Sequence, residues 1–460
     1  MSNILLVEPD YRSKFPPLGL LKIASYHNSF SDNVTLIRGR NEDMRSLRWH
    51  RIYISSLYTW ELPRTVKTVQ YYASSVTKPE NLYVGGIGAT LKPDFIREKV
   101  DCNVIEGPLD KKGLLGPNSH GIAEMIPDYT ILDNVEYNYQ PKDAYFIKIT
   151  KGCMRSCEYC AVPILEKEFA YLTNLKKQIK GVNRLYGERQ NMVILDNNVL
   201  GINDVEKRIT EIRELGFERG AKRNKRKRYV DFNQGLDARI ISNKPSLALS
   251  LGSICLDPVR LAFDVNTPKM ENAYRQAIKL LSDQGFKNFT NYMLFNYNDT
   301  PHDLYHRIFV NAELSKTLGV RVTGFPMRYI PITSISRGYI SGKWHWKYLR
   351  GLQCILLATH GLISPNEDFI HAAFGSSFEE FIEILAMPDH YIIFRNEYKN
   401  KDAKEWKKLY NQLPESSKKE FLDLLFQLNF DRNRKKTIRK LIKYRALIEH
   451  YYPNGESLRV

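Results

Sequence analysis

Three cysteines stand close together in the run Lys151-Gly-Cys153-Met-Arg-Ser-Cys157-Glu-Tyr-Cys160-Ala-Val-Pro163. Thiolates are the ligands of iron–sulfur clusters, and C-x3-C-x2-C is a spacing dense enough to wrap one. A cubane with every iron held by protein takes four cysteines. Three leave one iron open to an outside ligand, which suits catalysis, much as a catalytic zinc keeps an open position. Two plainer readings use the same residues: a zinc site completed by a distant histidine, or thiols packed as small apolar groups. No second pair of ligands is visible to complete a zinc site, and three cysteines in one loop are an unusual way to fill a core. The remaining cysteines, Cys102, Cys255 and Cys354, are scattered, and six in 460 residues make no disulfide framework.

Such a loop needs a strand behind it. An apolar run over 144–149 ends just before the cysteines and opens a series of strands at 192–195, 229–232, 260–263, 289–294 and 320–325. Helical patterns, such as 205–215 and 270–284, lie between them. Six strand–helix units close most of a barrel and place functional residues at the carboxyl ends of the strands. Ahead of this series, strands at 4–7, 34–37, 52–55 and 81–84 alternate with helices at 18–26 and 66–75. That alternation implies a parallel sheet covered on both faces. Its last strand runs into Gly85-Gly86-Ile87-Gly88, where a close backbone approach to a ligand competes with an ordinary turn. The stretch 108–142 has weak periodicity and reads as a linker. After about 335 the pattern is helical. Ser417 and Glu420 form a capping box ahead of 421–426, and Ile438, Leu441, Ile442 and Ile448 make an apolar stripe on a last helix. The predicted fold is α/β: a Rossmann-like doubly wound sheet over 1–125, a six-unit partial TIM barrel over 140–335, and a helical, basic domain over 336–460.

The cysteine spacing, the aromatic Tyr159 before the last cysteine, the loop position and the six units that follow together resemble the radical S-adenosylmethionine (SAM) superfamily. The resemblance covers roughly 140–335. It implies a [4Fe–4S] cluster on Cys153, Cys157 and Cys160 whose open iron is chelated by the amino and carboxylate groups of SAM. An electron then cleaves SAM to a 5′-deoxyadenosyl radical that takes hydrogen from a substrate, and a donor such as flavodoxin or ferredoxin supplies that electron. SAM contacts are implied at the strand ends: Asp196 and Asn197, where the family often has Gly-Gly-Glu; Gln234 and Arg239, the latter equally readable as a structural ion pair; and Asp264 on the ribose. Asn298-Asp299-Thr300 reads equally well as a helix cap. Residues 1–110 resemble the cobalamin-binding domain that precedes many such proteins, through Pro16-Pro17-Leu18-Gly19-Leu20, the strand near Ile54, and Gly85-Gly86 with Thr90 and Pro93. This adds cobalamin at Gly85 and Gly86. The D-x-H-x-x-G motif is absent, His27 and His50 stand alone, and 102–107 departs from the family's usual turn.

Net charge of +17 points to an anionic partner. Lys222–Arg228 and Arg432–Arg445 are dense cationic runs that either meet a phosphate backbone or are simply solvated. Trp344, Trp346 and Tyr348 either stack bases or fill a helix core. No apolar run reaches the roughly 18–20 residues that span a bilayer, and the opening residues read as a first strand broken by Glu8. A soluble cytoplasmic enzyme with no membrane partner is expected, its substrate unknown and nucleic acid among the candidates. Two rivals stay open: a zinc-containing nucleic-acid-binding protein, and a cluster-bearing scaffold without catalysis. If cobalamin binds, methyl transfer becomes the leading reaction.

Overall fold

The computed structural model describes residues 1–116, 121–430 and 434–452. Contacts divide it into two compact units, one of residues 1–262, 273–286 and 330–339, the other of 263–272, 287–329 and 340–460.

The first unit opens with five parallel strands, β1 (Asn3–Glu8), β2 (Asn33–Arg38), β3 (Arg51–Ser55), β4 (Leu82–Gly85) and β5 (Asn103–Ile105). Their order is β2-β1-β3-β4-β5, that of a doubly wound sheet. β1 is an unbroken apolar run because both faces are covered; Ile4 to Val7 are each fully buried. The helix Leu62–Tyr72 turns Leu62, Val66 and Val69 onto Leu5, Val7, Ile52 and Ile54. Strand order reverses between β1 and β3, where Tyr11 and Ser55 hydroxyls meet at 3.0 Å. β5 was not expected from the sequence. It is a short edge strand with only Ile105 buried, so it carries almost no apolar signal.

The described residues of the stretch, 108–116 and 121–142, are largely irregular, as their composition implies, yet they are packed as a strap. Leu115, Ile122, Tyr129, Ile131 and Tyr139 are buried. Asp128 takes Asn28 Nδ2 at 2.7 Å, and its N–H donates to Leu21 O at 3.1 Å. Tyr139 donates to the buried Glu8 carboxylate, Arg38 lies 3.5 Å over the Tyr137 ring, and Tyr129 accepts from Phe146 N at 2.9 Å. Its apolar residues follow the contour beneath them and therefore show no period.

The second series begins with β6 (Ala144–Ile147), the short pair β7 (Thr150–Lys151) and β8 (Ala170–Tyr171), and β9 (Asn191–Ile194). A hairpin of β10 (Lys222–Arg223) and β11 (Arg226–Lys227) leads into β12 (Val230–Phe232), and β13 (Val259–Ala262) follows. β6, β9 and β12 form a parallel sheet in that order, and Leu236 bridges Leu261 in parallel.

In the second unit β14 (Asn288–Phe295) and β15 (Arg321–Arg328) pair in parallel. Thr300 and Asp303 make the capping box of the helix Pro301–Leu318, so the cap reading of that segment describes the structure. The remainder is helical around a core that includes Leu352, Phe374, Phe381, Trp406 and Leu425. Trp344 lies in that core with Nε1 3.0 Å from Asp299 O, and Trp346 packs on Phe426 and Phe430. Two expectations are corrected here. Ser417 does not cap: the helix Glu415–Phe430 already runs through it, because Pro414 O accepts from Ser417 and Lys418 N–H. Glu420 instead takes Lys443 and Tyr444 at 2.5 and 2.9 Å. Ile442 is 65% exposed, since the last helix breaks at Leu441 into a tight turn that rotates it outward. Asp431 and Arg432, at the start of the second basic run, lie outside the described residues. Among the described residues no helix is long and apolar enough to cross a membrane.

Candidate functional site

The cysteine loop leaves and re-enters the sheet through one neck. Thr150 pairs with Tyr171 and Lys151 with Ala170, so β7 and β8 clamp the segment between them. Asp196, just past β9, is 4% exposed and takes three donors at that neck. They are Ile149 N at 2.8 Å, Thr150 N at 2.5 Å and Thr150 Oγ1 at 2.6 Å. Burial pushes the Asp196 carboxyl up to about 6, against the pull of Thr150 and of the two backbone amides. A second carboxylate, Glu166, takes Gly152 N at 2.6 Å and Asn197 Nδ2 at 2.9 Å, and pairs with Lys148. Gly152 has φ of 73°, and a Cβ there would lie 2.3 Å from Glu168 O. Only glycine can make this turn.

Beyond the neck the three thiols are partly exposed. Cys153 Sγ accepts from Arg155 N at 3.3 Å, and Cys160 N donates to Cys157 O at 3.0 Å. The loop is tied to the segment after β12 by Asp237. Arg155 Nε reaches it at 3.0 Å, and Arg239 grips it with Nε at 2.8 Å and Nη2 at 3.0 Å. Asp237 also caps the helix Ala238–Asn243, accepting from Arg239 N. Burial works to raise its pKa, but the guanidiniums of Arg239 and Arg155 overcome it and hold the carboxyl below its usual range. Arg239 is held in its charged form first by Asp237, with Cys157 and Tyr159 adding to the field. Asn198 Nδ2 lies 3.4 Å from Asp237, while its buried Oδ1 has no hydrogen-bond partner among the described residues.

Among the described residues no three His, Cys, Asp or Glu side chains are gathered as ready-made metal ligands. The thiols share a loop but not a centre. Their chemistry nonetheless fits an iron–sulfur cluster: three soft sulfur donors on a segment anchored at both ends and flanked by two guanidiniums.

The structure therefore brings Cys153, Cys157, Cys160, Asp196, Asn197 and Arg239 into one region. Asp196 and Asn197 are bonded into the neck, and Arg239 is paired with Asp237. Gln234 is exposed, with Nε2 3.4 Å from Asn233 Oδ1. Asp264 belongs to the other unit, where Oδ1 accepts from Leu294 N at 3.0 Å. There the fully buried Arg307 pins the strand ends, donating to the carbonyls of Phe263, Asp264 and Leu294 and to the Asp299 carboxylate. Gly86 has φ of 102°, and a Cβ would lie 2.4 Å from Ser56 O. At Gly88 it would lie 2.5 Å from Ser56 Oγ. Ser56 takes up the side-chain direction at both glycines, while Gly86 and Ile87 are exposed. His27 is buried between Asp32 (2.8 Å) and Tyr53 (3.0 Å), and His50 accepts from Asn3 N at 2.9 Å. Glu166, Arg155, Asp237 and Arg307 were not singled out from sequence. Asp237 alone had a readable signal, as a cap residue before a helical run.

No family model matches this sequence, and no curated protein matches it. Among solved structures the chain is similar to the apo, selenomethionine-labelled form of OxsB, a cobalamin-dependent S-adenosylmethionine radical enzyme. The TM-score is 0.46 with 14% identity, over 68% of this chain and 52% of that one. The chain thus spans about half the length of that structure. The functional reading is drawn from the residues of the loop.

Proposed function

We propose that this chain is a radical SAM enzyme in which Cys153, Cys157 and Cys160 hold a [4Fe–4S] cluster. The observation that carries the reading is the neck. A three-thiol loop is fastened to the carboxyl end of the first strand of a parallel sheet by two carboxylates, Asp196 and Glu166, that take six donors between them. Bound together, cluster and SAM supply reductive cleavage of the sulfonium and a 5′-deoxyadenosyl radical for hydrogen abstraction from a substrate.

The chain's own residues do the holding. Asp196 and Glu166 fix the base from which the thiols project, and Gly152 sets the direction of exit. Arg155 and Arg239 set two positive charges beside ligands that carry negative charge when bound. Asn198 Oδ1, buried and unpartnered, is the acceptor left over at the end of β9. It suits the SAM amino group. In this reading β6, β9, β12 and β13 are the first four strands of the partial barrel. No step runs through cobalamin.

The test is anaerobic reconstitution with iron and sulfide, then dithionite and SAM, with chromatography for 5′-deoxyadenosine. Product from the parent and none from Cys157→Ala supports the proposal. A zinc-loaded, iron-free protein sinks it. One second reading has an observation in its favour: Asp196 and Arg239 are both committed inside the protein, as a non-catalytic scaffold would allow. It predicts a stable cluster, no 5′-deoxyadenosine, and SAM affinity unchanged by Asn198→Ala.

A further inference from the structure

The basic run before β12 is a built ribbon. β10 and β11 pair antiparallel around Asn224 and Lys225, at φ of 50° and 63°. Two left-handed residues make the tight turn that suits a two-residue hairpin, for which Asn-Gly is the favoured pair. Lysine stands in the glycine's place, where a side chain strains the backbone. Across the ribbon Lys222 faces Lys227 and Arg223 faces Arg226. Like charges directly opposite one another destabilise strand pairing. Arg223 is offset by Asp143 and Glu188 at 3.5 and 3.6 Å. Lys222, Lys225, Arg226 and Lys227 are exposed, and none of the four has an ion pair among the described residues.

The base of the ribbon is rigid. Arg228 is 7% exposed and lies 3.8 Å over Phe217. It donates to Glu188 at 2.6 Å, Arg189 O at 2.9 Å and Gln190 O at 3.1 Å. Gln190 Nε2 in turn donates to Arg226 O and Lys227 O at 3.1 and 3.0 Å. A merely solvated charge run needs neither this scaffold nor its local strain.

We propose that the ribbon binds the phosphodiester backbone of a nucleic acid. Three of its four exposed cations are lysines, which bind phosphate as compact point charges, and the fourth, Arg226, carries a fork that fits a phosphate bidentately. They match a regular line of phosphates, whose affinity comes from charge neutralisation and counterion release. β6, β9 and β12 are parallel, so the ribbon before β12 and the cysteine loop after β6 lie at opposite ends of one sheet. The inference therefore stands or falls apart from the proposed chemistry.

The experiment is fluorescence anisotropy of the full chain with labelled single-stranded RNA, single-stranded DNA and duplex DNA, across a salt series. The ribbon variant combines Lys222→Ser, Lys225→Gly, Arg226→Ser and Lys227→Ser. It relieves the strain and the like-charge pairs, so folding is retained. A control removes four exposed lysines elsewhere, with serine at Lys399, Lys401, Lys404 and Lys408. The ribbon variant should lose about tenfold or more in affinity at 0.1 M salt. The slope of log affinity against log salt should become shallower by about 3, near 0.7–0.9 per lost contact, and the control should change far less. Tighter binding to one of the three polymers identifies which backbone is bound. Equal losses in variant and control, wild-type affinity in the ribbon variant, or no wild-type binding at 50 mM salt each overturns the proposal. Displacement of the oligonucleotide by polyglutamate at equal charge would also overturn it, assigning the ribbon to an acidic protein surface.

Discussion

The loop after β6 and the turn after β4 begin alike. Each leaves the carboxyl end of a parallel strand through a glycine in the left-handed region, and each glycine has backbone oxygen where a Cβ would go, at 2.3 Å from Glu168 O for Gly152 and 2.4 Å from Ser56 O for Gly86. They then diverge. After Gly152 the chain runs out past three partly exposed thiols before β8 brings it back, gripped at the neck and tied through Arg155 to Asp237. After Gly86 it goes straight into the short helix Ile87–Leu91, with Gly88 set against Ser56 and Tyr58. A glycine after a strand reports that something comes close. What comes close has to be learned from the residues around it: thiols and carboxylates in one case, the protein's own backbone in the other.

Paired alanine substitutions test this contrast most strongly. Gly152→Ala and Gly86→Ala should each lower stability by about 3 kcal/mol or more in urea titrations. Only Gly152→Ala should also reduce iron retained per folded chain after reconstitution. Iron loss in Gly86→Ala would break the comparison. Next in size is Glu166→Gln, which keeps the shape but turns one acceptor into a donor facing the donors of Gly152, Asn197 and Lys148. About 2 kcal/mol of stability should go, with iron retention falling in step.

Asp196→Asn gives a smaller effect of readable sign. The folded carboxyl sits near 6, above its ordinary 3.8. The fold therefore favours the neutral acid. That contribution is full below the unfolded value and is lost as pH rises through about 6. Wild type should gain on Asp196→Asn by about 1–2 kcal/mol between pH 7 and pH 4.5, measured as urea midpoints. No change in the difference would mean that the carboxylate is less enclosed than the neck implies. Smallest of all is Gly85→Ala. Its φ is not left-handed, and a Cβ would rest 3.6 Å from Ile105 Cβ. The change should stay within about 0.5 kcal/mol, separating the glycine that the turn needs from its neighbour.

The strands were legible because burial on both faces writes itself as apolar runs; β1, β3, β6 and β9 all lie where those runs predicted. β5 was not, since an edge strand with one buried residue writes nothing. The cysteines were legible because a ligand set must be dense in sequence. Glu166 was not, because its three donors come from positions 148, 152 and 197, and only the folded neck makes them neighbours. Arg239 was found by type and position, and its partner Asp237 stands two residues away in the same turn, a pairing that local sequence alone could offer. The capping box at Ser417 failed for a local reason: Pro414 had already started the helix.

The strap over 121–139 also bears on where the gene could be cut. A break at 125 leaves Glu8 on one fragment and Tyr139, its buried donor, on the other. A break at 140 parts Tyr129 from the Phe146 amide at the head of the cysteine strand. Neither seam is clean. The opening sheet and the cysteine strand share that strap, and a shortened version would lose one of these two bonds at whichever edge was chosen.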